Sequence, residues 1–307
     1  MPVQSLGRNS GSQGKAQYLG SELSMFTKQL SGVGLGLRRE MMDQVLADIP
    51  QNVDFWEVAP ENWIPLGGKY QKQLSTLTSV ANFVTHGLSL SIGSPEPLDT
   101  AFVKEVKAFL DQHNILYYSE HLSYCSGKGH LYDLMPIPFT EEAVKHVVER
   151  VKLVQDIIER PLLLENVSYY AAPGQQMSEQ EFTLAVLEES GCLMLLDVNN
   201  IYVNSINHQY NAEQFLAAMP TGKIVYGHIA GHYDEADDLK VDTHGADVIQ
   251  PVWELLDKAY KIHGVFPTLL ERDFNIPPLS ELLLEVDKIR GIQQKNLQIN
   301  ASSQRSA

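Results

Sequence analysis

Eight short apolar runs rich in β-forming residues recur along this chain, each separated from the next by a segment of helical spacing. They are "GVGLGL" (Gly32 to Leu37), "VDFWEVAP" (Val53 to Pro60), "NFVTHGLSL" (Asn82 to Leu90), "ILYYSEHLS" (Ile115 to Ser123), "PLLLENV" (Pro161 to Val167), "CLMLLDVNN" (Cys192 to Asn200), "KIVYGHIAG" (Lys223 to Gly231) and "PTLLERD" (Pro267 to Asp273). Strands that are apolar on both faces and alternate with helices belong in a parallel sheet, and eight of them close a (β/α)8 TIM barrel. The clearest helix follows Thr140, with Ala143, Val144, Val147, Val148, Val151, Val154 and Ile158 at three- and four-residue steps. Thr140 can cap it, and Glu141 and Glu142 suit the positive end of its dipole. A doubly wound open sheet is the alternative. Against it, "GVGLGLRRE" lacks the third glycine of a dinucleotide fingerprint, so Gly32, Gly34 and Gly36 read as close-packing positions in the first strand.

The expected organisation is a loose polar arm over residues 1–31 with a short helix near Glu22 to Leu30, one barrel over 32–292, and a polar tail over 293–307. With 23 basic and 38 acidic residues the net charge is -15, which repels a nucleic-acid backbone, and no basic run exceeds Arg38-Arg39. Two cysteines, Cys125 and Cys192, make no disulfide framework; with no apolar export segment at the start, a cytoplasmic location is expected. No apolar stretch approaches the roughly 18 residues that span a bilayer, so no membrane partner is expected.

What ends the runs is more informative than what fills them. They finish in His86, His121, Glu165, Asp197, His228 and Glu271, with Glu57 closing the second. A histidine after a strand is ordinarily a satisfied structural group, and a carboxylate there is ordinarily a helix cap. Seven such groups at strand C-termini of one barrel are different, because all those ends open on one face. Crowded carboxylates and imidazoles without a counter-charge are costly to bury, and Arg272 is the main basic residue near them, so bound cations are the expected neutraliser.

The segment "YGHIAGHYDEADDLKVDTHG" adds to this set. His228 belongs to a strand end rather than to a helical pair with His232. The acidic run Asp234 to Asp238 reads as a solvated loop, whereas Asp242 and His244, two apart, would point the same way in an extended segment. His232 and Asn199 are possible helpers. Eight candidate ligands, His86, His121, Glu165, Asp197, His228, Asp242, His244 and Glu271, suit two or three ions sharing a carboxylate. Imidazole with carboxylate fits Zn, Mn or Fe, and His86, His121 and Glu165 form a 2-His-1-carboxylate set. His113, His130, His146, His208 and His263 have no convergent partners and read as structural or surface groups.

Taken in order, "VGLGLR", "FWEVAPENW", "THGLSLSIG", "YSEHLSY", "LLENVSYY", "LLDVNNIYVNSINH", "GHIAGH", "DTHG" and "LLERD" resemble the DUF692 or UPF0276 family, the multinuclear non-haem iron-dependent oxidases, from about Gly32 to Arg290. The resemblance implies a xylose-isomerase-like TIM barrel holding two or three irons in mixed ferrous and ferric states. It implies a first iron on His86, His121 and a bridging Glu165, and a second on Glu165, Asp197, His228 and Glu271. A third would sit on Asp242 and His244, aided near Asn199 or His232. Glu165 and Asp197 are the carboxylates to which a catalytic role is assigned. Glu57, Glu61, Asn62 and Trp63 would lie at the mouth, to orient substrate or shape the pocket, with Trp63 equally suited to packing; Cys125 reads as an ordinary thiol. The implied activity is oxygen-dependent modification of cysteine residues in a ribosomally made precursor peptide, with a small partner protein recognising the leader. Two other readings stand beside it: a zinc- or manganese-dependent phosphodiesterase-like hydrolase, and a non-catalytic interaction protein with structural metals. Sugar isomerisation rests on the fold alone.

Overall fold

In the computed structural model, which describes residues 30–127 and 129–305, eight parallel strands close a barrel. Its strands are β1 (Val33–Gly36), β2 (Phe55–Val58), β3 (Asn82–His86), β4 (Tyr118–His121), β7 (Leu162–Glu165), β8 (Leu193–Asp197), β9 (Ile224–Ile229) and β12 (Thr268–Leu270). Two antiparallel ribbons stand outside it, β5 (Tyr124–Ser126) with β6 (His130–Met135) and β10 (Tyr233–Ala236) with β11 (Leu239–Val241). The helices are α1 (Met42–Ala47), α2 (Gly68–Thr78), α3 (Thr100–Gln112), α4 (Glu141–Ile158), α5 (Glu179–Ser190), α6 (Val198–Asn207), α7 (Ala212–Ala218), α8 (Gln250–His263) and α9 (Leu279–Arg305). None of the described helices is long and apolar enough to cross a membrane.

The two-residue period of a strand sorts each run into an inner and an outer row. Phe55, Val84, Tyr117, Leu163, Leu193, Leu195, Tyr226 and Leu269 form one apolar cluster, with Leu30 joining it, and plug the barrel. Trp56, Val58, Leu162, Leu164, Met194, Leu196 and Leu270 belong to the second cluster, shared with helix residues such as Val147, Val151 and Val154 of α4. Two residues beyond the inner plug come Glu57, His86, Glu165, Asp197, His228 and Glu271, so the polar layer rests on the apolar one. Glycine stands at position 34 of the first strand for a related reason. A Cβ on Gly34 would lie 2.4 Å from the ring of Phe55, its partner in register on β2.

Where the sequence predicted α4, Thr140 accepts from the Ala143 N–H. Two expectations are corrected. The acidic run Asp234 to Asp238 is exposed but ordered into the β10–β11 ribbon rather than a plain loop, because Tyr233, Asp234 and Ala236 pair across to Val241, Lys240 and Leu239. Nor does a polar tail begin at Gln293: α9 continues to Arg305. Gln293 and Asn296 are buried there because Gln293 donates to the Gly32 and Phe266 carbonyls and Asn296 donates to Asp257. The helix expected near Glu22 to Leu30 lies outside the described residues except for Leu30, which is buried.

One buried acid in this scaffold carries a pH-dependent cost. Glu179, in the first turn of α5, accepts from the Asn204 amide at 3.2 Å, and burial pushes its carboxyl up to about 7. The folded state therefore holds a proton that the unfolded chain releases near the ordinary carboxylate range, and stability falls as pH rises through that window, by roughly 3 kcal/mol in all. Glu179→Gln keeps an acceptor for Asn204 without the charge. It should raise the thermal midpoint relative to wild type at pH 8 and leave it nearly unchanged at pH 4; equal shifts at both pH values would refute the assignment.

Candidate metal centre

Strand ends from opposite sides of the barrel bring their side chains to one point. His86 Nε2, His121 Nε2 and Glu165 Oε2 lie 3.1–3.5 Å apart, the spacing of donors around one small ion bound at about 2.0–2.2 Å. Behind them, His228 Nδ1 is 2.9 Å from Glu271 Oε2, 3.6 Å from Glu165 Oε1 and 4.0 Å from Asp197 Oδ2. Glu165 thus offers one oxygen to each group. His86, Glu165, Asp197, His228 and Glu271 are all buried.

The supporting contacts decide which atom each ligand presents. Tyr226 Oη donates to Glu57 Oε2 at 2.7 Å and Ser119 Oγ donates to the Thr85 carbonyl, so the His86 Nδ1 proton is directed to Ser119 Oγ at 2.8 Å. That leaves His86 Nε2 with its lone pair facing Glu165. Likewise His228 Nε2, 3.0 Å from the Glu57 carboxylate, donates to it and turns Nδ1 toward the carboxylates. Such partners fix tautomer and ring orientation at metal sites. Asp197 divides its oxygens: Oδ1 caps α6 by accepting from the Asn200 N–H, while the Asn166 side chain clasps both backbone groups of Asp197. Its Oδ2 remains for the centre.

Third in the arrangement is the segment beyond β11. His244 Nε2 is 2.7 Å from Asp242 Oδ1, while its Nδ1 is 3.2 Å from Asp273 Oδ2 and 3.3 Å from Glu271 Oε2. Asp242 and His244 meet as their spacing suggested, but not in an extended segment, since His244 has φ +50°. Asp242 also accepts from Ser168 Oγ and Asn199 Nδ2, each at 3.0 Å, and Asn199 Oδ1 accepts from His232 Nδ1 at 2.8 Å. Among the expected mouth residues, Glu57 joins the centre, Trp63 is buried packing, and Asn62 is exposed on a short 3-10 turn with Glu61 as the engaged neighbour. Glu61 accepts from Leu88 N, Ser89 N and Ser89 Oγ. Arg272 turns outward to Asp247 and Glu285 and leaves the barrel lumen without its charge.

Electrostatically the centre is built to hold cations. Burial opposes charge on His86, but Glu165 and Glu57 overcome it and raise His86 to about 9. His228 and His244 are also pushed well up against burial, by Glu57 with Glu271 and by Asp242 with Glu271. Burial and the adjacent His86 drive His121 down to about 4. Burial and Glu165 push Asp197 well up, whereas His244 and His228 hold Glu271 well below the carboxylate range. Protons here occupy positions that a divalent ion would take.

Whether the residues fit metal can be tested on their unpartnered atoms. Among the described residues, His121 Nδ1, Glu165 Oε2, Asp197 Oδ2, His228 Nδ1, His232 Nε2, His244 Nε2 and Glu271 Oε2 are buried without a hydrogen-bond partner. Of these, Glu165 Oε2, Asp197 Oδ2, His228 Nδ1, His244 Nε2 and Glu271 Oε2 face one another in a single layer, where bound cations would satisfy them. Three groups have donor atoms within 4.8 Å of one another: His86, His121 and Glu165; Glu165, Asp197, His228 and Glu271; and His244, Glu271 and Asp273. Sequence reasoning missed Asp273, Ser119, Tyr226 and Asn166. A period-two signal was available, since Ser119 and Tyr226 precede His121 and His228 by two and Asp273 follows Glu271 by two. The remaining described histidines serve the scaffold: His113 Nδ1 meets Thr78 Oγ1, His146 the Ser94 carbonyl, His208 the Tyr169 carbonyl, and His263 Thr221.

Comparison with known proteins agrees with the fold and shows the family. L-Ribulose 3-epimerase is similar in structure at TM-score 0.59 and 13% identity, covering 91% of this chain and 99% of the other. D-psicose 3-epimerase from Clostridium cellulolyticum H10 gives 0.56 and 11%, covering 89% and 99%. At such identity the likeness is one of fold. In sequence, a UPF0276 protein of Shewanella loihica is 68% identical over 266 residues, 87% of this chain and 96% of the relative. A UPF0276 protein of Pseudomonas aeruginosa is 53% identical over 267 residues, 87% and 94% respectively. The model of the RiPP precursor modification enzymes MbnB/TglH/ChrH matches residues 32–294. With that match spanning the whole barrel, the chain belongs to the MbnB/TglH/ChrH family of RiPP precursor modification enzymes.

Proposed function

We propose that this protein is an iron-dependent oxidase that uses dioxygen to modify cysteine residues of a ribosomally made precursor peptide, aided by a small leader-recognition protein. The observation that carries the reading is the shared Glu165 carboxylate between two ligand groups, in a chain whose family acts on precursor peptides. The first group, two imidazoles and one carboxylate, is a donor set that would suit a ferrous ion with sites to spare. Bound iron would supply redox chemistry toward dioxygen and a Lewis-acidic seat for a thiolate. Electrons lost by the cysteine reduce dioxygen, so no other oxidant is needed.

The protein's own contribution is placement. Glu57, Ser119 and Tyr226 hold the His86 and His228 rings so that their lone pairs converge. We assign Glu165 the bridging role and Asp197 that of closing the second group. The Glu165-bridged residues are buried apart from His121, whose side chain is 17% exposed, and the His244 and Asp242 side chains are 13% exposed; we take this partly open rim as the entrance for the peptide.

Protein expressed in iron-57 medium should contain two or three irons per chain, magnetically coupled by Mössbauer spectroscopy. With partner protein and a cysteine-containing precursor peptide it should take up oxygen and change the mass of the peptide. Zinc alone in protein grown with ample iron, or an iron-loaded enzyme that leaves the correct peptide unchanged, would sink the proposal.

A further inference from the structure

His244 can serve a third ion through only one of its ring nitrogens, and the two choices recruit different partners. An ion on Nδ1 would share Glu271 Oε2 and Asp273 Oδ2, which lie 3.3 and 3.2 Å away. One on Nε2 would share Asp242, at 2.7 Å. Arg38, just beyond β1 and 235 residues away from Asp273, separates them. Its guanidinium pairs with Asp273 Oδ1, and its Nε donates to the Arg272 carbonyl at 3.1 Å, which fixes the fork against the end of β12. Asp273 is therefore already neutralised, and a cation on its other oxygen would face the guanidinium at close range.

We infer that Arg38 and Asp273 form a positioning pair: Arg38 anchors Asp273, Asp273 accepts the Nδ1 proton of His244, and the ring is thereby held with Nε2 toward Asp242 as the ligand pair for a third ion. The inference rests on the metal-centre reading above. Three further observations agree with it. The His244 Nδ1 to Asp273 contact satisfies hydrogen-bond geometry, whereas the longer approach to Glu271 is only an ion-pair distance. The Nε2 atom is buried without a hydrogen-bond partner. Asp242 is held in turn by Ser168 and Asn199, so both members of the ligand pair are braced from behind. Glu271 Oε2 is then left to the second group with His228.

Zinc titration against a chromophoric chelator, on the full chain, tests the pair because the two assignments predict opposite signs. Arg38→Leu should weaken the weakest zinc by about 10–100-fold, the usual effect of removing an outer partner of a metal ligand, with the tighter ions unchanged. Asp273→Ala should do the same. If Asp273 were itself a ligand, removing the competing guanidinium would tighten that zinc, and an unchanged or tighter ion in Arg38→Leu overturns the inference. Nitrogen-15 spectra of the imidazoles in zinc-loaded wild type give a second readout that needs no variant. His244 should show Nδ1 protonated and Nε2 metal-bound; a metal-bound Nδ1, or a His244 free of zinc while the other groups are loaded, also overturns it. Failure of wild type to take up any zinc would instead strike the metal-centre reading itself.

Discussion

Glu165→Gln is expected to empty two ion positions with one substitution. Its carboxylate is the junction of the centre: Oε2 stands 3.2 Å from His86 Nε2 and 3.5 Å from His121 Nε2, and Oε1 stands 3.6 Å from His228 Nδ1. Glutamine fills the same volume but offers one oxygen rather than two and no charge, so its amide must point N–H donors at one set of imidazoles. Removing an outer partner already costs 10–100-fold in metal affinity, and removing a shared ligand should cost at least about 100-fold at both groups. Ions that bind the folded state alone stabilise it by mass action, about 2.7 kcal/mol at a hundredfold excess over Kd. The metal-induced rise in thermal midpoint should therefore shrink in Glu165→Gln to what an ion on the His244 pair alone supplies, while circular dichroism of the metal-free barrel is unchanged. His121→Ala, by contrast, should affect only the first group, because His121 contacts Glu165 but belongs to no other ligand set. A full wild-type complement of metal in Glu165→Gln would remove the case for a bridging carboxylate.

That junction was legible in the sequence because a strand buried on both faces makes any polar residue conspicuous. Glu165 follows Leu162, Leu163 and Leu164, and Asp197 follows Leu193 through Leu196, so each announces itself as a group placed at cost. Eight such runs with helices between them sufficed for the closed barrel, since parallel neighbours leave few other ways to satisfy the edges. Ser119 and Tyr226 were hidden for the opposite reason: serine and tyrosine are unremarkable in strands, and only their position two residues before a ligand betrays them. Arg38 and Asp273 are joined across 235 residues, a pairing that barrel closure creates and no local pattern encodes. Composition misled at the C-terminus, where Gln293 and Asn296 looked like tail but are buried by specific amide hydrogen bonds. Within "EVAPENW" the four residues named together have separate surroundings: Glu61 ties the loop after β3, Asn62 beside it is exposed, and Trp63 is buried.

Gly231→Ala should dismantle the third ligand pair from outside it. Gly231 follows β9 by two residues, and a Cβ there would lie 2.1 Å from the Ala246 carbonyl oxygen, 2.5 Å from its carbon and 2.6 Å from the Asp247 oxygen. All three are backbone atoms, so no flexible side chain can swing aside; the 246–247 segment itself must move by about an ångström to reach ordinary contact. His244 lies two residues before Ala246, and its contacts of 3.2 Å to Asp273 and 2.7 Å to Asp242 have no slack for such a shift. Overpacking of this kind costs about 1–3 kcal/mol. The expected result is a lower thermal midpoint together with the loss of one ion, while the ions on the Glu165-bridged groups stay. Gly222→Ala serves as the control, since nothing stands within 4 Å of its added methyl group. Should Gly231→Ala keep every ion and melt like Gly222→Ala, the tight approach of the two loops would not be what holds His244 in place; loss of all the ions would mean that the third pair and the bridged groups assemble as one unit.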